Sequence, residues 1–284
     1  MMKTLGRHPG QRVLAVLGHR IGILMYLLFA LFPLFWMVKI SVTPAKLLYS
    51  EGVVLWPSAS TWHSYVQVLT HTAFPTYFRN SVLVSLSTAA LVTAIAASAG
   101  YSFSRFQFRG RSAVMFLLLV TQMFPLVMLI APIYRMLAPL HLTDNLLGLV
   151  VVYTAFNAPF ATFLMQSFFD EIPRDLEESA MIDGATRTMA LRKVIIPLTL
   201  PGLGATLGFV FTAAWSELLF GLMLINTDSQ KTFAVGLLTF VSKFSVDWGQ
   251  MMAAAVLALV PAIGFFGFIQ RYLVRGLTAG AVKG

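Results

Sequence analysis

Nucleophiles, metal ligands and phosphate-binding loops are scarce in this sequence. Its 284 residues include no cysteine, which excludes a disulfide, a thiolate metal site and a thiol nucleophile. His8, His19, His63, His71 and His141 form no His-Glu-x-x-His pair. There is no Gly-x-Ser-x-Gly elbow and no glycine-rich loop ending in Gly-Lys-Ser/Thr, so neither a serine hydrolase nor ATP hydrolysis by this chain is expected. No catalytic, cofactor-binding or metal-binding residue is expected. Side chains with chemical capacity gather in two places instead. One is the stretch EESAMIDGATRTMALRKVIIPLTLPG, from Glu177 to Gly202. The other is a set of single residues in apolar surroundings: Gln122, Asn157, Trp215 and Glu217.

The elements that carry them are apolar helices. Hydrophobic residues make up 58% of the chain and charged residues 11%, and the mean hydropathy is +0.79. Soluble domains carry roughly 25% charged residues, so this composition implies a polytopic membrane protein. A helix needs about 20 apolar residues to cross the hydrocarbon core. Charge-free runs of that kind occupy Ile21–Val38, Asn80–Ser104, Ser112–Tyr134, Asn145–Phe169 and Trp248–Gln270. A sixth runs from near Gly202 through Glu217 to near Ile225. The expectation is an all-α single transmembrane domain with six transmembrane helices, at about 20–41, 79–104, 112–134, 145–169, 202–226 and 249–271. A retained first span is expected, because its apolar run exceeds the ~7–15 residues of a signal-peptide core and LFWMVKISVTP offers no small-residue cleavage site.

Six spans put both termini on one side. Fourteen Lys and Arg fall on that side, among them Arg105, Arg109, Arg111, Arg174, Arg187, Arg192 and Lys193, against six on the other. The positive-inside rule makes the richer side cytoplasmic, with residues 171–200 on it and loops 42–78 and 227–248 outside. The net charge of +9 follows from this bias, and no nucleic-acid partner is expected. Trp56, Pro57, Trp62 and Tyr65 in the first outer loop suit a membrane boundary. The 227–248 loop is apolar at its centre and is expected to pack against something or to dip back toward the pore. No internal repeat or low-complexity run is present.

Within 171–200, Ile172–Pro173 precedes a helical pattern, with Pro173 suited to a first turn and Asp170, Glu171 and Asp175 near its start. Ile172, Leu176, Ala180 and Gly184 fall at spacing four on one narrow stripe. Glu177 and Glu178 lie off it, within reach of Arg174. Gly184 ends the helix, a second helix covers Thr186–Ile196, and Pro197 and Pro201 close it. The segment reads as helix, glycine turn, helix: either a solvated hairpin or a docking surface. In the spans, polar groups face a cavity or a partner. Glu217 fits a pore-lining or paired role. Gln122 and Asn157 precede prolines and suit backbone groups freed at a kink. Trp215 and Trp248 suit boundary anchoring or stacking on a ligand ring.

Glu178, Ser179, Ala180, Asp183, Gly184, Ala185, Ile196, Pro197 and Pro201 resemble the docking motif of ATP-binding-cassette importer permeases: Glu-Ala-Ala, three residues, Gly, and a hydrophobic run ending in Leu-Pro. Ser179, Leu191 and Ile196 depart from it conservatively. FNAPFATFLMQSFFDEIPRDLEE and the tail RYLVRGLTAGAVKG resemble the carbohydrate-uptake branch, within it the smaller maltose-permease-like subunit. The likeness runs from the first span onward and is slight over residues 1–18.

That resemblance implies a non-catalytic permease subunit in a bacterial inner membrane. It implies a second permease as a heterodimer partner, two ATPase subunits that use ATP and Mg, an external solute-binding protein and a sugar substrate. Glu178 would contact a basic ATPase residue, Ala180 would allow close approach, Asp183 would cap the second helix or hold the turn, and Gly184 would permit the bend. Gly276, Thr278, Gly280 and Lys283 in the tail would contact the ATPases, and the 227–248 loop would reach the binding protein. The alternatives are an importer permease for a non-carbohydrate solute, and a secondary transporter. The latter folds usually carry repeated halves and intramembrane ion sites, which this sequence does not show.

Overall fold

The computed structural model describes residues 9–281, with side chains from 16 to 270 apart from Phe268. The tail positions Gly276, Thr278, Gly280 and Lys283 lie outside the residues whose side chains are described. Helices dominate, and no β-strand occurs among the described residues. The chain, expected as one domain, separates into two compact units: one runs through His71 and includes Lys243–Leu257, and the other holds Thr72–Ser242 and continues from Ala258.

The first unit contains α1 (Pro9–Val42), α2 (Ala45–Ser50) and α3 (His63–Thr70). The stretch Val16–Val42 of α1 buries none of its most apolar window inside the chain. The loop after it is tied back by Thr61 N–H to the Val42 carbonyl at 2.8 Å and by the Ser41 and Tyr65 hydroxyls at 2.7 Å. Trp56 stands 6.1 Å from Phe35 and Trp62 lies 5.3 Å from Tyr65, both tryptophans exposed.

The second unit is built on α4 (Phe74–Arg105) and α7 (Leu146–Asp170). Ala89, Val92 and Ala96 of α4 and Ala161 and Met165 of α7 are almost wholly buried. Small residues let helices approach closely where no water drives them together. The approach is tightest at Gly100, where a Cβ would lie 2.8 Å from the Gln166 amide nitrogen and 2.9 Å from Met165 Cβ. Gly100→Leu is therefore expected to lower stability by about 1–3 kcal/mol or more, read as a loss of thermal stability in detergent. Helix α4 begins five residues before its expected start, because Arg79 does not interrupt it and Pro75 sits in its first turn.

One expected span is bent, and a second bend lies where the 171–200 hairpin meets the next span. Residues 111–140 form α5 (Arg111–Thr121) and α6 (Leu126–Leu137), with a 101° change of direction between them. Pro125, extended at ψ 121°, supplies no amide hydrogen and keeps Phe124 out of the helical region. The other bend, 71°, separates Arg187–Leu198 from α11 (Leu200–Trp215). Helix α11 stops at Trp215, so the expected 202–226 span is interrupted at Glu217 before the short α12 (Leu219–Leu224). Among the described residues, Val16–Val42, Phe74–Arg105, Leu146–Asp170 and Trp248–Gly267 are each long and apolar enough to cross a membrane. The number reaches six if each bent pair is one span. The last lies in α14 (Trp248–Ala281).

The segment after α12 packs against α4, the first of its two expected fates. Asn80 Nδ2 donates to the carbonyls of Ser229 and Lys231 at 2.8 and 2.9 Å. The Ser81 hydroxyl accepts from Phe233 N–H, in α13 (Phe233–Leu237), at 2.7 Å. Before it, Asp144 accepts from the amides of Asn226 and Thr227 at 2.9 and 2.8 Å and from the Thr227 hydroxyl. The Thr227 hydroxyl, and then these amides, hold the Asp144 carboxyl below its ordinary value. A depressed carboxyl pKa stabilises above the unfolded value, about 3.9, and the gain is lost as pH falls through the folded one. Acidification below about pH 4 is thus expected to loosen this tether. The Thr227 amide resonance should report it, and Asp144→Asn should remove the transition.

Candidate functional site

Two arrangements in the second unit hold the side chains singled out above. The first is residues 171–200. Helix α8 (Asp175–Ile182) begins two residues after Pro173, with Arg174 at its N-cap, and carries Asp175, Glu177 and Glu178 in its first turn, where the dipole favours anions. Asp170 instead closes α7 and is held by the Ser104 hydroxyl at 2.6 Å. Gly184 ends α8 at φ +90°. Gly184 N–H bonds the Met181 carbonyl at 3.1 Å and Ala185 N–H reaches the Ala180 carbonyl at 3.0 Å, which is a Schellman termination. Thr186 caps the second helix, its hydroxyl accepting from Met189 N–H at 3.3 Å. Asp183 therefore belongs to the end of the first helix and does not cap the second. That second helix comprises α9 (Arg187–Ala190), a wider π turn over Leu191–Ile195, and α10 (Ile196–Leu198). The π turn adjoins Pro197, which has no hydrogen to give the preceding turn.

One acid fixes this hairpin to the rest of the unit. Glu177 is buried and accepts from the Tyr101 hydroxyl and from Arg105 Nε at 3.2 Å, with Arg187 Nε 3.9 Å away. Arg105 also donates to the Ile172 carbonyl at 3.0 Å. The expected partner, Arg174, turns away to the Ser104 carbonyl at 2.8 Å. The glutamates are neighbours on a helix and so project in different directions, and Glu177 takes the inner one. Glu178, Ser179, Asp183 and Gly184 are exposed, while Ala180, Ala185 and Leu191 are half-buried. The expected stripe, with Leu176, Ala180 and Gly184, stays on the accessible side. Ile182 is 85% exposed at the turn, a large apolar side chain with nothing of its own chain over it.

The second arrangement is a cleft of about 280 Å³ among α5, α6, α7 and the break after α11. It brings together Gln122, Asn157 and Glu217, which are far apart in sequence. Glu217 accepts from the Tyr153 hydroxyl at 2.6 Å and from the amides of Phe220 and Gly221 at 3.0 and 3.2 Å. Its pairing inside this chain is thus with Tyr153 and the first turn of α12. Gln122 Nε2 donates to the Phe156 carbonyl at 3.2 Å, and Asn157 Nδ2 to the Tyr153 carbonyl at 2.7 Å. Asn157 thus does not meet the Ala155 carbonyl that Pro159 deprives of a helical donor. Trp215 does not join the cleft. It is buried among Phe78, Phe211 and Phe233, at ring distances of 5.7, 5.6 and 4.7 Å. Helix α11 ends there, so Trp215 and Glu217 point apart.

The protein family described as the inner membrane component of binding-protein-dependent transport systems matches residues 90–279. The chain belongs to this family. Its permease relatives include the trehalose/maltose transport system permease protein MalG of Thermococcus litoralis, 33% identical over 96% of this chain and 98% of that one. The inner membrane ABC transporter permease protein YcjP of Escherichia coli is 32% identical over 96% and 99%. The sulfoquinovosyl glycerol transport system permease protein SmoH of Agrobacterium fabrum is 34% identical over 89% of each. Among solved structures, a chain of a bacterial ABC transporter involved in import of the acidic polysaccharide alginate superposes with a TM-score of 0.79. It is 22% identical and covers 95% of this chain and 100% of its own, a likeness of fold. This permease is an inner-membrane protein of an ABC transporter. Glu177 is the residue that sequence reasoning passed over. The sequence offered no signal for its partner, because Arg105 lies 72 positions away while Arg174 stands beside it.

Proposed function

We propose that this permease subunit carries a sugar or sugar derivative inward across the membrane, driven by a separate ATPase that docks on residues 171–200. The observation that carries the reading is the docking hairpin: an exposed face with Glu178, Ala180, Ile182 and Gly184, and behind it a buried tie from Glu177 to Arg105 and Tyr101 of α4. A face alone would be a solvated loop. A face joined by a buried ion pair to the longest helix of the second unit can pass a displacement into the membrane. Relatives named for trehalose/maltose and sulfoquinovosyl glycerol support a carbohydrate. The lysine and arginine distribution supports cytoplasmic termini and a cytoplasmic hairpin.

In this reading Glu178 offers charge to a basic ATPase residue, Ala180 and Gly184 let the partner approach, and Ser179, Asp183, Ala185, Leu191 and Pro197 shape the hairpin. ATP and Mg belong to the two ATPases, a second permease completes the pathway, and an external binding protein delivers the sugar, with the 227–248 segment on its side. Gly276, Thr278, Gly280 and Lys283 reach toward the ATPases. Closure of the ATPases selects one of two permease conformations, and hydrolysis restores the other.

The chain has no cysteine of its own, so Ile182→Cys introduces a single thiol at the hairpin turn. A short thiol-to-amine cross-linker on membranes of the intact transporter is expected to join it to the ATPase. The same reagent at Tyr49→Cys, in a loop read as external, should not. Equal products from both positions, or none from Ile182→Cys, would overturn the docking assignment.

A further inference from the structure

The cleft at Glu217 has a second property, its charge. Among the residues lining it there is no lysine, arginine or histidine, and Glu217 is the one carboxyl group. Three donors converge on its two oxygens, and all three are neutral: a phenol and two backbone amides. The negative charge is thus solvated inside the protein without being cancelled. A group of like sign brought into the cleft would meet it across a few ångströms, in surroundings of far lower permittivity than water.

The rest of the lining suits hydroxyl groups. Gln122 and Asn157 each use one amide hydrogen inside the chain, on the Phe156 and Tyr153 carbonyls. Each is left a carbonyl oxygen and a second amide hydrogen, the acceptor and donor that a sugar hydroxyl can satisfy together. Phe156 and Phe220 stack at 5.1 Å to form an apolar wall, and Phe124, 55% exposed, stands at the rim. Aromatic walls with a few placed polar groups are the general make-up of small-molecule sites, and about 280 Å³ lies near the lower end of their ~300–1,000 Å³ range. The space fits a small part of a saccharide and not a long chain.

We propose that this cleft is a saccharide subsite that accepts uncharged sugar rings and rejects uronate, sulfonate and phosphate sugars, with Glu217 setting the charge preference. This rests on the carbohydrate reading above, which leaves the charge of the sugar open. The polar and aromatic groups hold a ring by its hydroxyls and its apolar face, while Glu217 accepts from a hydroxyl on its open side and repels an anion. Tyr153 acts through Glu217, holding the carboxylate in place.

The test uses the complete transporter, with its own second permease and ATPases, in lipid nanodiscs. Saturation-transfer NMR compares maltose with a disaccharide of the same size that ends in glucuronate. Maltose is expected to bind at least tenfold more tightly than the acid. Ala213→Trp fills the cleft from its lining and should abolish the maltose signal, and with it the difference between the two sugars. Glu217→Gln keeps an acceptor for Tyr153 and should bring the two sugars within about threefold. Gln122→Lys, at an exposed position, adds a cation and should favour the acid without requiring any change at Glu217. Equal binding of both sugars by the unmodified transporter would overturn the proposal. So would an unchanged preference in both Glu217→Gln and Gln122→Lys, or a maltose signal indifferent to Ala213→Trp. Failure of both sugars to bind also overturns it. The carbohydrate reading is scored separately, by ATP-dependent uptake over a sugar panel. Uptake that persists without cleft binding condemns this subsite alone, whereas absent uptake of every sugar condemns the reading beneath it.

Discussion

Replacing Glu177 with alanine is expected to destabilise the permease by about 3–5 kcal/mol, while the same change at the adjacent Glu178 costs within about 0.5 kcal/mol. The side chains of Glu177 and Arg105 are each only 7% exposed, and 3.2 Å separates their charged atoms. Removing one partner of such a pair leaves the other buried without compensation, and that penalty exceeds what the pair contributes when whole. Arg105 would retain the Ile172 carbonyl and the Ser104 hydroxyl, which satisfy hydrogens but supply no negative charge. Tyr101 would lose its acceptor as well. Glu178 is exposed, makes no ion pair among those of the described residues, and has no such debt. Thermal unfolding of the purified transporter should separate the two variants clearly. Transport should separate them differently: Glu178→Lys is expected to insert and remain stable yet lose coupling, because the change falls on the exposed face proposed to meet the ATPase. A Glu178→Ala variant as unstable as Glu177→Ala would contradict the division of roles.

The second large effect is expected at Gly184. Its φ of +90° lies in a region that side chains rarely adopt, and its N–H bonds the Met181 carbonyl. Proline fixes φ near −65° and has no hydrogen to give, so Gly184→Pro removes both the turn and the bond. The local cost is about 3 kcal/mol or more. Membrane insertion depends on spans that this turn does not touch, and the protein should still reach the membrane. Uptake should fall more than tenfold while the ATPases continue to turn over ATP. Gly184→Ala, strained but retaining the N–H, should give an intermediate loss. Normal uptake in Gly184→Pro would mean that the hairpin transmits nothing.

Much of this fold was legible in the sequence because bilayers impose a simple length rule. The runs behind α1, α4, α7 and α14 are long, apolar and free of charge, and each forms a helix that could span. Proline behaviour was not legible. Pro159 leaves α7 continuous, whereas Pro125 accompanies a 101° bend. Both remove a backbone donor. The difference lies in what surrounds them: Pro159 is buried within the α4–α7 packing that holds its helix straight, while most residues around Pro125 are exposed. Sequence does not display such neighbours. The glycine turn of the hairpin was legible, since few residues but glycine accept its φ. Which of two adjacent glutamates turns inward was not, because Arg105 lies 72 positions away. The same holds for the cleft. Gln122, Asn157 and Glu217 stood out as polar groups among apolar ones, yet their meeting depends on two helix breaks. Trp215 stood out for the same reason and proves to be core, because the helix ends between it and Glu217.

The central claim is that this permease moves sugar only when an ATPase acts through residues 171–200. Its most direct test is uptake of a labelled sugar into proteoliposomes holding the complete transporter, with binding protein added on one side and ATP on the other. The expected result is uptake that requires both, that falls more than tenfold with Gly184→Pro at equal protein content, and that leaves ATP hydrolysis running in that variant. Uptake by this chain alone, without ATP or an ATPase, would contradict the account.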